Sequence, residues 1–216
     1  MKKRQYDQYC PLACALDIVG ERWAMLIVRE LLLGPRRFAD LETGLPGIGT
    51  NTLTTRLDEM VNAGVIGKRR LPAPAAAMVY QLTEWGRGLE PIVHAIARWG
   101  TPRLSVAAPK YALRASWLAV ALKAFFQSEA VSDLDADVEL VLPTGTLILH
   151  FDRGTLQITE GEAELPAARI FGTEPGFLQF LTTGNASAAG TLRVEGDGRL
   201  LDRLIEAFPL HGEPAR

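Results

Sequence analysis

The sequence predicts an α+β protein of two domains, a mostly helical one at residues 1–104 and a mixed one at residues 105–216. Three observations support this prediction. Apolar residues recur with helical spacing through most of the first half, which ends in two short strand-like segments. Between residues 137 and 159 the period changes to two, as in strands with one buried face. Residues 100–109, rich in proline and small side chains, separate the two regions as a linker.

Composition and length describe a globular protein with room for real cores. The chain has 216 residues, of which 48% are hydrophobic and 22% charged. No window approaches the roughly 20 apolar residues that a membrane helix needs. Asp17 and the Glu21-Arg22 pair interrupt the apolar stretch near the N-terminus, so we do not expect a signal peptide. Two cysteines give no disulfide framework, and we expect a cytoplasmic protein with no membrane partner.

The two halves differ in charge. Residues 1–104 contain 14 Lys or Arg against 10 Asp or Glu, whereas residues 105–216 contain 9 against 15. A basic half beside an acidic half predicts that only the first meets a polyanion.

The first two predicted helices build the core of the first domain. Residues 1–9 form a basic arm, for which a frayed terminus is the alternative. Pro11–Val19 is a helix with proline near its first position, where the missing N–H costs nothing. Residues 22–33 form a second helix that is apolar over most of its surface, which is typical of a central core helix.

Residues 36–64 predict two short helices joined by a tight turn. The first covers residues 38–43, and the proline and glycines of residues 45–49 break it. The second covers residues 50–63, with Leu53, Leu57, Met60 and Val61 as its apolar stripe. Its other side carries Asn51, Thr52, Thr55 and Arg56. Short polar side chains and an arginine suit the major groove, although an αα-hairpin with a solvated face remains the alternative.

A β-hairpin follows these helices. Residues 65–71 and 78–82 predict two strands, joined by a proline-rich loop that cannot continue the ladder. Helix, turn, helix and hairpin form the winged helix-turn-helix arrangement of DNA-binding domains.

From this arrangement we expect one set of residues to read or position DNA: Thr50, Asn51, Thr52, Thr55 and Arg56. A second set would hold phosphates: Arg36, Arg37, Lys68, Arg69 and Arg70. A merely solvated arginine pair is the alternative for Arg36 and Arg37.

A long amphipathic helix is predicted after the hairpin, with Thr83 as its N-cap. Its stripe contains Leu89, Ile92, Val93, Ile96 and Trp99. A small winged domain has too little protein to cover such a stripe. Pairing with a second copy, together with the first helix, is the natural solution, and packing against the second domain is the alternative.

The second domain begins with a broadly apolar helix at residues 113–126. Three alternating segments near residues 137–142, 147–151 and 156–159 predict an antiparallel meander. A further strand at 168–172, a helix at 174–182, an extended piece at 192–196 and a helix at 199–208 complete it. The prediction is an antiparallel sheet covered by helices on one side.

The first hundred residues resemble the HxlR family of bacterial winged-helix regulators. The resemblance rests on Cys10-Pro11, on the runs ALDIVGERW (15–23), RELLLGPRRFADL (29–41) and LPGIGTNTLTTRL (45–57), and on residues 79–83, Gly86 and Trp99-Gly100. It implies a homodimeric transcription factor, which we expect to be a repressor, that binds a palindromic double-stranded DNA operator. Two departures are a threonine-rich recognition face, where relatives often place Lys or Gln, and a wing tip without a basic residue.

The resemblance also draws attention to Cys10. This residue matches a cysteine that senses oxidants or electrophiles in some relatives, which implies a thiol-sensing regulator as an alternative. Cys14, one helical turn further on, is not part of that pattern. Small apolar packing is the other interpretation of both thiols.

The second half resembles the sterol-carrier-protein-type fold more loosely. The cues are the order helix then meander, followed by RIFGTEPGFLQFLTTG (169–184) and LRVEGDGRLLDRLIEAF (192–208). That resemblance implies a cavity for apolar molecules, and hence a small apolar effector sensed by this domain. The aromatic residues that could line such a cavity are Trp117, Phe125, Phe126, Phe151, Phe171, Phe177 and Phe180. They could equally fill a solid core.

Enzyme chemistry finds little support in the sequence. The histidines at 94, 150 and 211 have no metal-ligand spacing, the acidic run at 133–139 predicts a solvated face, and no nucleophile lies in a recognisable catalytic pattern. We therefore expect no enzyme activity, no cofactor and no metal. A carrier or small enzyme acting on an apolar acyl or polyketide-like substrate remains an alternative for the second domain.

Overall fold

The computed structural model describes residues 5–72, 76–103, 113–184 and 192–210. Four parts of the sequence prediction lie outside these ranges: the start of the basic arm, the wing tip at 73–75, residues 104–109 of the linker predicted at 100–109, and His211. The chain divides into two compact units, Met1–Val93 and His94–Arg216. The boundary near residue 104 that composition predicts remains a prediction.

The first unit is a winged helix-turn-helix. The elements that begin in it are α1 (Pro11–Val19), α2 (Ala24–Leu31), α3 (Phe38–Gly44), α4 (Thr50–Asn62), β1 (Ile66–Arg70), β2 (Met78–Leu82), α5 (Glu84–Arg87) and α6 (Glu90–Gly100). β1 and β2 pair antiparallel, with Ile66 opposite Leu82. Ile27 of α2, Leu41 of α3 and Leu53 of α4 are completely buried, so the three helices share one core. This architecture confirms the predicted order of elements.

Helix α4 takes its orientation from its apolar stripe. Leu53, Leu57 and Met60 are buried, which turns the opposite side outward. Gly64 follows the helix with φ +77°, a left-handed conformation that glycine adopts without strain. The chain can therefore reverse directly into β1.

The long helix predicted after the wing is two helices. Thr83 caps the first, α5, by accepting a hydrogen bond from the Gly86 N–H at 3.0 Å. A β-carbon on Gly86 would lie 2.1 Å from the Val65 carbonyl oxygen, so only glycine allows α5 to approach the wing this closely. The chain turns at Gly88 and continues as α6.

The second unit contains a five-stranded sheet and helices. Its elements are a 3-10 turn (Thr101–Arg103), α7 (Ala115–Phe125), a second 3-10 turn (Ser128–Val131), β3 (Asp135–Leu142), β4 (Gly145–Asp152), β5 (Thr155–Glu160), β6 (Ala168–Phe171), α8 (Glu174–Thr183), β7 (Arg193–Gly196) and α9 (Leu200–Ala207). The strand order is β5-β4-β3-β6-β7. The antiparallel meander is confirmed, but β6 pairs parallel with β3, so the prediction of an antiparallel sheet is wrong and the sheet is mixed.

One face of this sheet forms the core of the second unit. Leu140, Leu147 and Leu149 share that face and are completely buried, and α7 packs against β4 and β5. Asp137 and His150 lie opposite each other on the other face and are partly exposed. Glu139 shares the second face yet is buried, and its carboxylate is compensated by the Ala163 N–H at 3.0 Å and by Arg169 Nε at 3.5 Å. The acidic run is therefore not uniformly solvated.

Candidate DNA-binding surface

The outward side of α4 is polar and accessible. Asn51, Thr52 and Thr55 are exposed, and the Thr55 hydroxyl donates to the Asn51 carbonyl at 2.9 Å. Thr50, also exposed, donates its hydroxyl to Glu42 of α3 at 2.6 Å. Amide and hydroxyl groups on an exposed helix can bond base edges in a major groove. The structure therefore brings four of the five predicted reading residues onto one accessible surface.

Arg56 departs from the expected exposed face. Only 12% of its side chain is exposed, and its terminal nitrogens pair with Glu59 in the same helix and with Glu21, which lies between α1 and α2. The Nη2 atom lies 3.4 Å from the Glu21 carboxylate, and the buried Nε has no hydrogen-bond partner in the described chain. The reason is visible in the helical spacing. Arg56 follows the buried Leu53 by three residues and precedes the buried Met60 by four, so it lies on their side of the helix.

The wing supplies cationic side chains on β1. Lys68, Arg69 and Arg70 are all exposed. The Lys68 ammonium lies 2.9 Å from Asp58, and this hydrogen bond, followed by the nearby Tyr80, raises the pKa of Lys68 above its ordinary value. Lys68 is therefore charged at neutral pH, although Asp58 competes with a phosphate for it. Arg69 donates from Nε to the Gln81 side-chain oxygen at 3.2 Å, which uses one of the five N–H donors of its guanidinium.

Arg36 and Arg37 have different environments. Arg36 is half-buried, and its Nε donates to the Glu30 carbonyl at 3.2 Å, so this side chain helps to hold the end of α2. Arg37 is exposed at the start of α3, where its backbone N–H donates to Asp40 at 2.9 Å. Of the two, Arg37 is the more exposed, and its side chain can reach a phosphate without leaving a partner among the described residues.

Comparison with known proteins places these residues in a family. A family model described as HxlR-like helix-turn-helix matches residues 18–107. YvaP of Bacillus subtilis (strain 168), named an uncharacterized HTH-type transcriptional regulator, is 37% identical over 96 residues, which are 44% of this chain and 89% of YvaP. The chain belongs to the HxlR family. It is an HTH-type DNA-binding transcriptional regulator.

Other relatives of this HxlR-family chain cover the same region. The HTH-type regulator sll1512 of Synechocystis sp. is 35% identical over 92 residues, 43% of this chain and 68% of that protein. A solved structure titled as the redox regulator HypR in its oxidized form is 30% identical, with a TM-score of 0.42, and covers 44% of this chain and 99% of that one. Residues 108–216 lie outside the match to the HxlR model.

Helices α1 and α6 each expose apolar side chains. On α1, Leu12 and Leu16 are 67% and 37% exposed. On α6, Ile92, Ile96 and Trp99 are exposed, the last by 83%. A cavity of about 250 Å³ lies between α1 and the α5–α6 segment, lined among others by Ile18, Val19, Trp85 and Leu89. Several large apolar side chains exposed on one helix are typical of a surface that another molecule covers.

The thiols lie on the same helix. Cys10 is half-buried at the N-cap position of α1, and Cys14 is exposed one turn further on. The Cys14 N–H donates to the Cys10 carbonyl at 3.0 Å, as in an ordinary first helical turn. A sensing role for Cys10 stays a prediction.

The seven predicted ligand-binding aromatic residues separate into three groups. Phe151, Phe177 and Phe180 are completely buried, and Phe151 packs against Phe126 with ring centroids 6.4 Å apart. Trp117, Phe125 and Phe126 are half-buried on or just after α7. Phe171 lies opposite Val141, on the face of the sheet away from Phe151, and the Arg193 guanidinium covers its ring at 3.9 Å. The sheet therefore separates Phe171 from Phe151 and from Phe126, which packs against Phe151, because consecutive strand residues point to opposite faces.

The parts of the chain that the structure describes contain neither a helix that could cross a membrane nor a cluster of metal-ligating side chains. No helix there is long and apolar enough to cross a bilayer. No group of three or more His, Cys, Asp and Glu side chains there is placed to hold a metal ion. His150 instead pairs with Asp137, with Nδ1 and Oδ1 2.5 Å apart, a partner that its strand-to-strand register supplies.

Sequence reasoning missed the acidic partners of Arg56. Glu21 precedes it by 35 residues, and no local pattern connects them. The spacing of Leu53 and Met60 was the available signal that Arg56 faces inward, and weighing it would have removed Arg56 from the exposed set.

Proposed function

We propose that this regulator is a homodimer that binds a palindromic operator through α4 and its basic wing, with a small apolar effector in the second unit tuning its affinity. The exposed face formed by Asn51, Thr52 and Thr55 carries the DNA part of this proposal. Thr50 adds its hydroxyl to that face when the hydrogen bond that it donates to Glu42 breaks. Arg36, Arg37, Lys68, Arg69 and Arg70 hold the flanking phosphates, with Arg37 and the wing residues the more accessible of them.

The DNA proposal is tested with the region upstream of the protein's own gene. Binding measured across a salt series should weaken steeply, by about 0.9 log unit of affinity per phosphate contact for each log unit of salt. Footprinting should show two half-sites about one helical turn apart, because a twofold dimer presents two recognition helices to successive major grooves. A flat salt response would remove this proposal.

The exposed apolar faces of α1 and α6 support the homodimer. Burying Leu12, Leu16 and the α6 stripe between two copies would take large apolar side chains out of water at about 25 cal/mol per Å². Leu12→Glu should shift the protein to monomer in sedimentation, without a folding cost, because Leu12 is already exposed. Leu165→Glu is the matched control, since Leu165 is 93% exposed on the loop between β5 and β6. If Leu12→Glu stays dimeric, α1 does not lie in the interface.

The half-buried aromatic residues support the effector part. Trp117, Phe125 and Phe126 can meet a ligand without opening the core that Phe151, Phe177 and Phe180 fill. The loose resemblance to the sterol-carrier-protein fold also implies an apolar ligand. An effector can release DNA only if it binds the two states of the dimer with different affinity. Aromatic compounds should release the operator, and Trp117→Ala should raise the concentration needed about tenfold while leaving effector-free DNA binding unchanged. Equal potency against Trp117→Ala would exclude this site.

A thiol switch is the second candidate, because half-buried Cys10 begins the helix proposed for the dimer contact. Release of DNA by oxidants, abolished by Cys10→Ser, would favour the thiol switch over the effector.

Turnover of an apolar acyl compound by the protein would instead support the carrier or enzyme interpretation of the second unit. Repression, the predicted direction of control, requires that deleting the gene raise transcription from the operator.

A further inference from the structure

We propose that Arg56 is a positioning residue that ties the recognition helix α4 to the end of α1 through Glu21. The proposal deepens the proposed function and rests on it, because the position of α4 matters to a regulator only if α4 enters DNA.

The geometry of Arg56 fits a tie between elements. Glu21 lies two residues after the last residue of α1, and its carboxylate is 3.4 Å from Arg56 Nη2. Nη1 pairs with Glu59 of the same helix, and the buried Nε has no hydrogen-bond partner among the described residues. The guanidinium is therefore held at its two outer nitrogens, once by α4 itself and once by the segment after α1. Loss of Glu21 removes the anchor that joins the two segments.

The same geometry argues against Arg56 as a DNA contact. Its side chain is 12% exposed and already faces two carboxylates. Reaching a phosphate would require breaking both pairs and would leave Glu21 and Glu59 uncompensated near a polyanion. Asn51 and Thr55, by contrast, face solvent without that cost.

This tie has a consequence for regulation. Helix α1 exposes Leu12 and Leu16, the side chains proposed to meet the second subunit. Glu21 and Arg56 therefore place the recognition helix relative to the helix that sets the dimer. A displacement of α1 is passed to α4 by this contact and changes the spacing of the two recognition helices on DNA.

The two roles for Arg56 predict opposite signs for Glu21→Gln. If Arg56 reads DNA, removing Glu21 frees the guanidinium and deletes a negative charge, so affinity for the operator rises. If Arg56 positions α4, removing Glu21 loosens the helix, and affinity falls. Glu84→Gln is the matched control for net charge, because Glu84 is exposed in the first turn of α5 and its substitution changes the charge equally.

The experiment measures operator affinity over a series of salt concentrations for the full chain and for its Glu21→Gln, Arg56→Ala and Arg56→Lys variants. It also includes the double variant that combines Glu21→Gln with Arg56→Ala. We expect each single variant to bind about 5–10-fold more weakly and the double variant to bind no more weakly than the singles, as for two residues in one contact. The salt slope should be unchanged in Arg56→Ala. Tighter binding by Glu21→Gln, or a slope smaller by about 0.9 in Arg56→Ala, would overturn the proposal.

Amide hydrogen exchange of the DNA-free protein separates this proposal from the proposed function. In Glu21→Gln, the amides of α4 around Arg56 should exchange about threefold or more faster while those of α2 stay as in the wild type, since local opening follows local contacts. If the wild type binds no DNA, the proposed function fails, but faster exchange in α4 still supports the tie. Unchanged exchange in α4 overturns it.

Discussion

Arg36 and Tyr80 exchange both of their backbone hydrogen bonds. The Arg36 N–H donates to the Tyr80 carbonyl at 2.9 Å, and the Tyr80 N–H donates to the Arg36 carbonyl at 2.8 Å. The residue that precedes the helix-turn-helix is thus paired with the middle of β2. This pairing attaches the wing to the base of α3 and fixes where the basic strand lies relative to the recognition helix.

The side chains of Arg36 and Arg37 have different environments, which predict different outcomes when each is replaced by alanine. Arg36→Ala should lower the free energy of unfolding by about 1–2 kcal/mol, because it loses the hydrogen bond to the Glu30 carbonyl in a half-buried site. Arg37→Ala should change it by less than about 0.5 kcal/mol, since Arg37 is exposed. Operator binding by Arg37→Ala should have a salt slope smaller by about 0.9. Urea unfolding and a binding series in salt measure both effects, and an unchanged slope would show that Arg37 meets no phosphate.

Asn51 offers the sharpest test of the reading face. Asn51→Ala should reduce discrimination between the operator and scrambled DNA by about 1–3 kcal/mol, as expected for loss of a bidentate contact to a base. Thr54→Ala is the control, because Thr54 is exposed on the same helix but lies on the flank, where its hydroxyl donates to the Thr50 carbonyl. The comparison is made in competition binding at one salt concentration. Equal losses for both variants would mean that the face is assigned wrongly.

The aromatic residues of the second unit should differ in their effect on stability. Phe151→Ala should cost about 3–5 kcal/mol, because the side chain is fully buried against Phe126 and Phe208. Phe171→Ala should cost about 1 kcal/mol, since it loses a half-exposed contact with Arg193. Urea unfolding of the intact protein tests this difference. A small loss for Phe151→Ala would indicate spare volume beside that ring instead of a packed core.

His150 and Asp137 predict a pH dependence of stability. The hydrogen bond that the Asp137 carboxylate accepts from His150 Nδ1, followed by the charge of the surrounding carboxylates, raises the folded-state pKa of His150 above 6.5. Protonated His150 is thus favoured in the folded protein, so the pair stabilises fully below about pH 6.5 and its contribution is lost as pH rises through the raised pKa. The amount is below about 1 kcal/mol because the pair is largely exposed.

Asp137→Asn tests this sign. The difference in urea midpoint between wild type and Asp137→Asn should be largest at acidic pH and disappear at alkaline pH. When His150 is replaced by Gln, the change in urea midpoint caused by Asp137→Asn should be the same at acidic and alkaline pH. A difference that grows as pH rises would contradict the pairing.

Local patterns predicted much of the fold. The bounds of α1 and β2 match the prediction, because proline starts the first and the proline-rich loop before Met78 precedes the second. Thr83 caps a helix as predicted, yet Gly86 and Gly88 divide the expected long helix. The division follows from the close approach of Gly86 to Val65, a contact between segments 21 residues apart that no local period reports.

Long-range pairing explains what could not be predicted. β6 is only four residues long and could have joined the sheet in either direction, and its parallel pairing with β3 depends on the path of the segment after β5. The burial of Glu139 depends on the backbone of Ala163, which reaches it from that same segment. Neither arrangement has a signature in the residues beside it.

By itself, the sequence determined the helix-turn-helix with its wing, the stripe that orients α4, and the family to which the chain belongs, because each depends on spacing within short windows. Only the tertiary structure decided that Arg56 is held by Glu21 and that Phe171 lies across the sheet from Phe151. Both outcomes depend on which distant segments meet. Hydrophobic burial drives that meeting without direction, and the packed core then selects the partners that each side chain keeps.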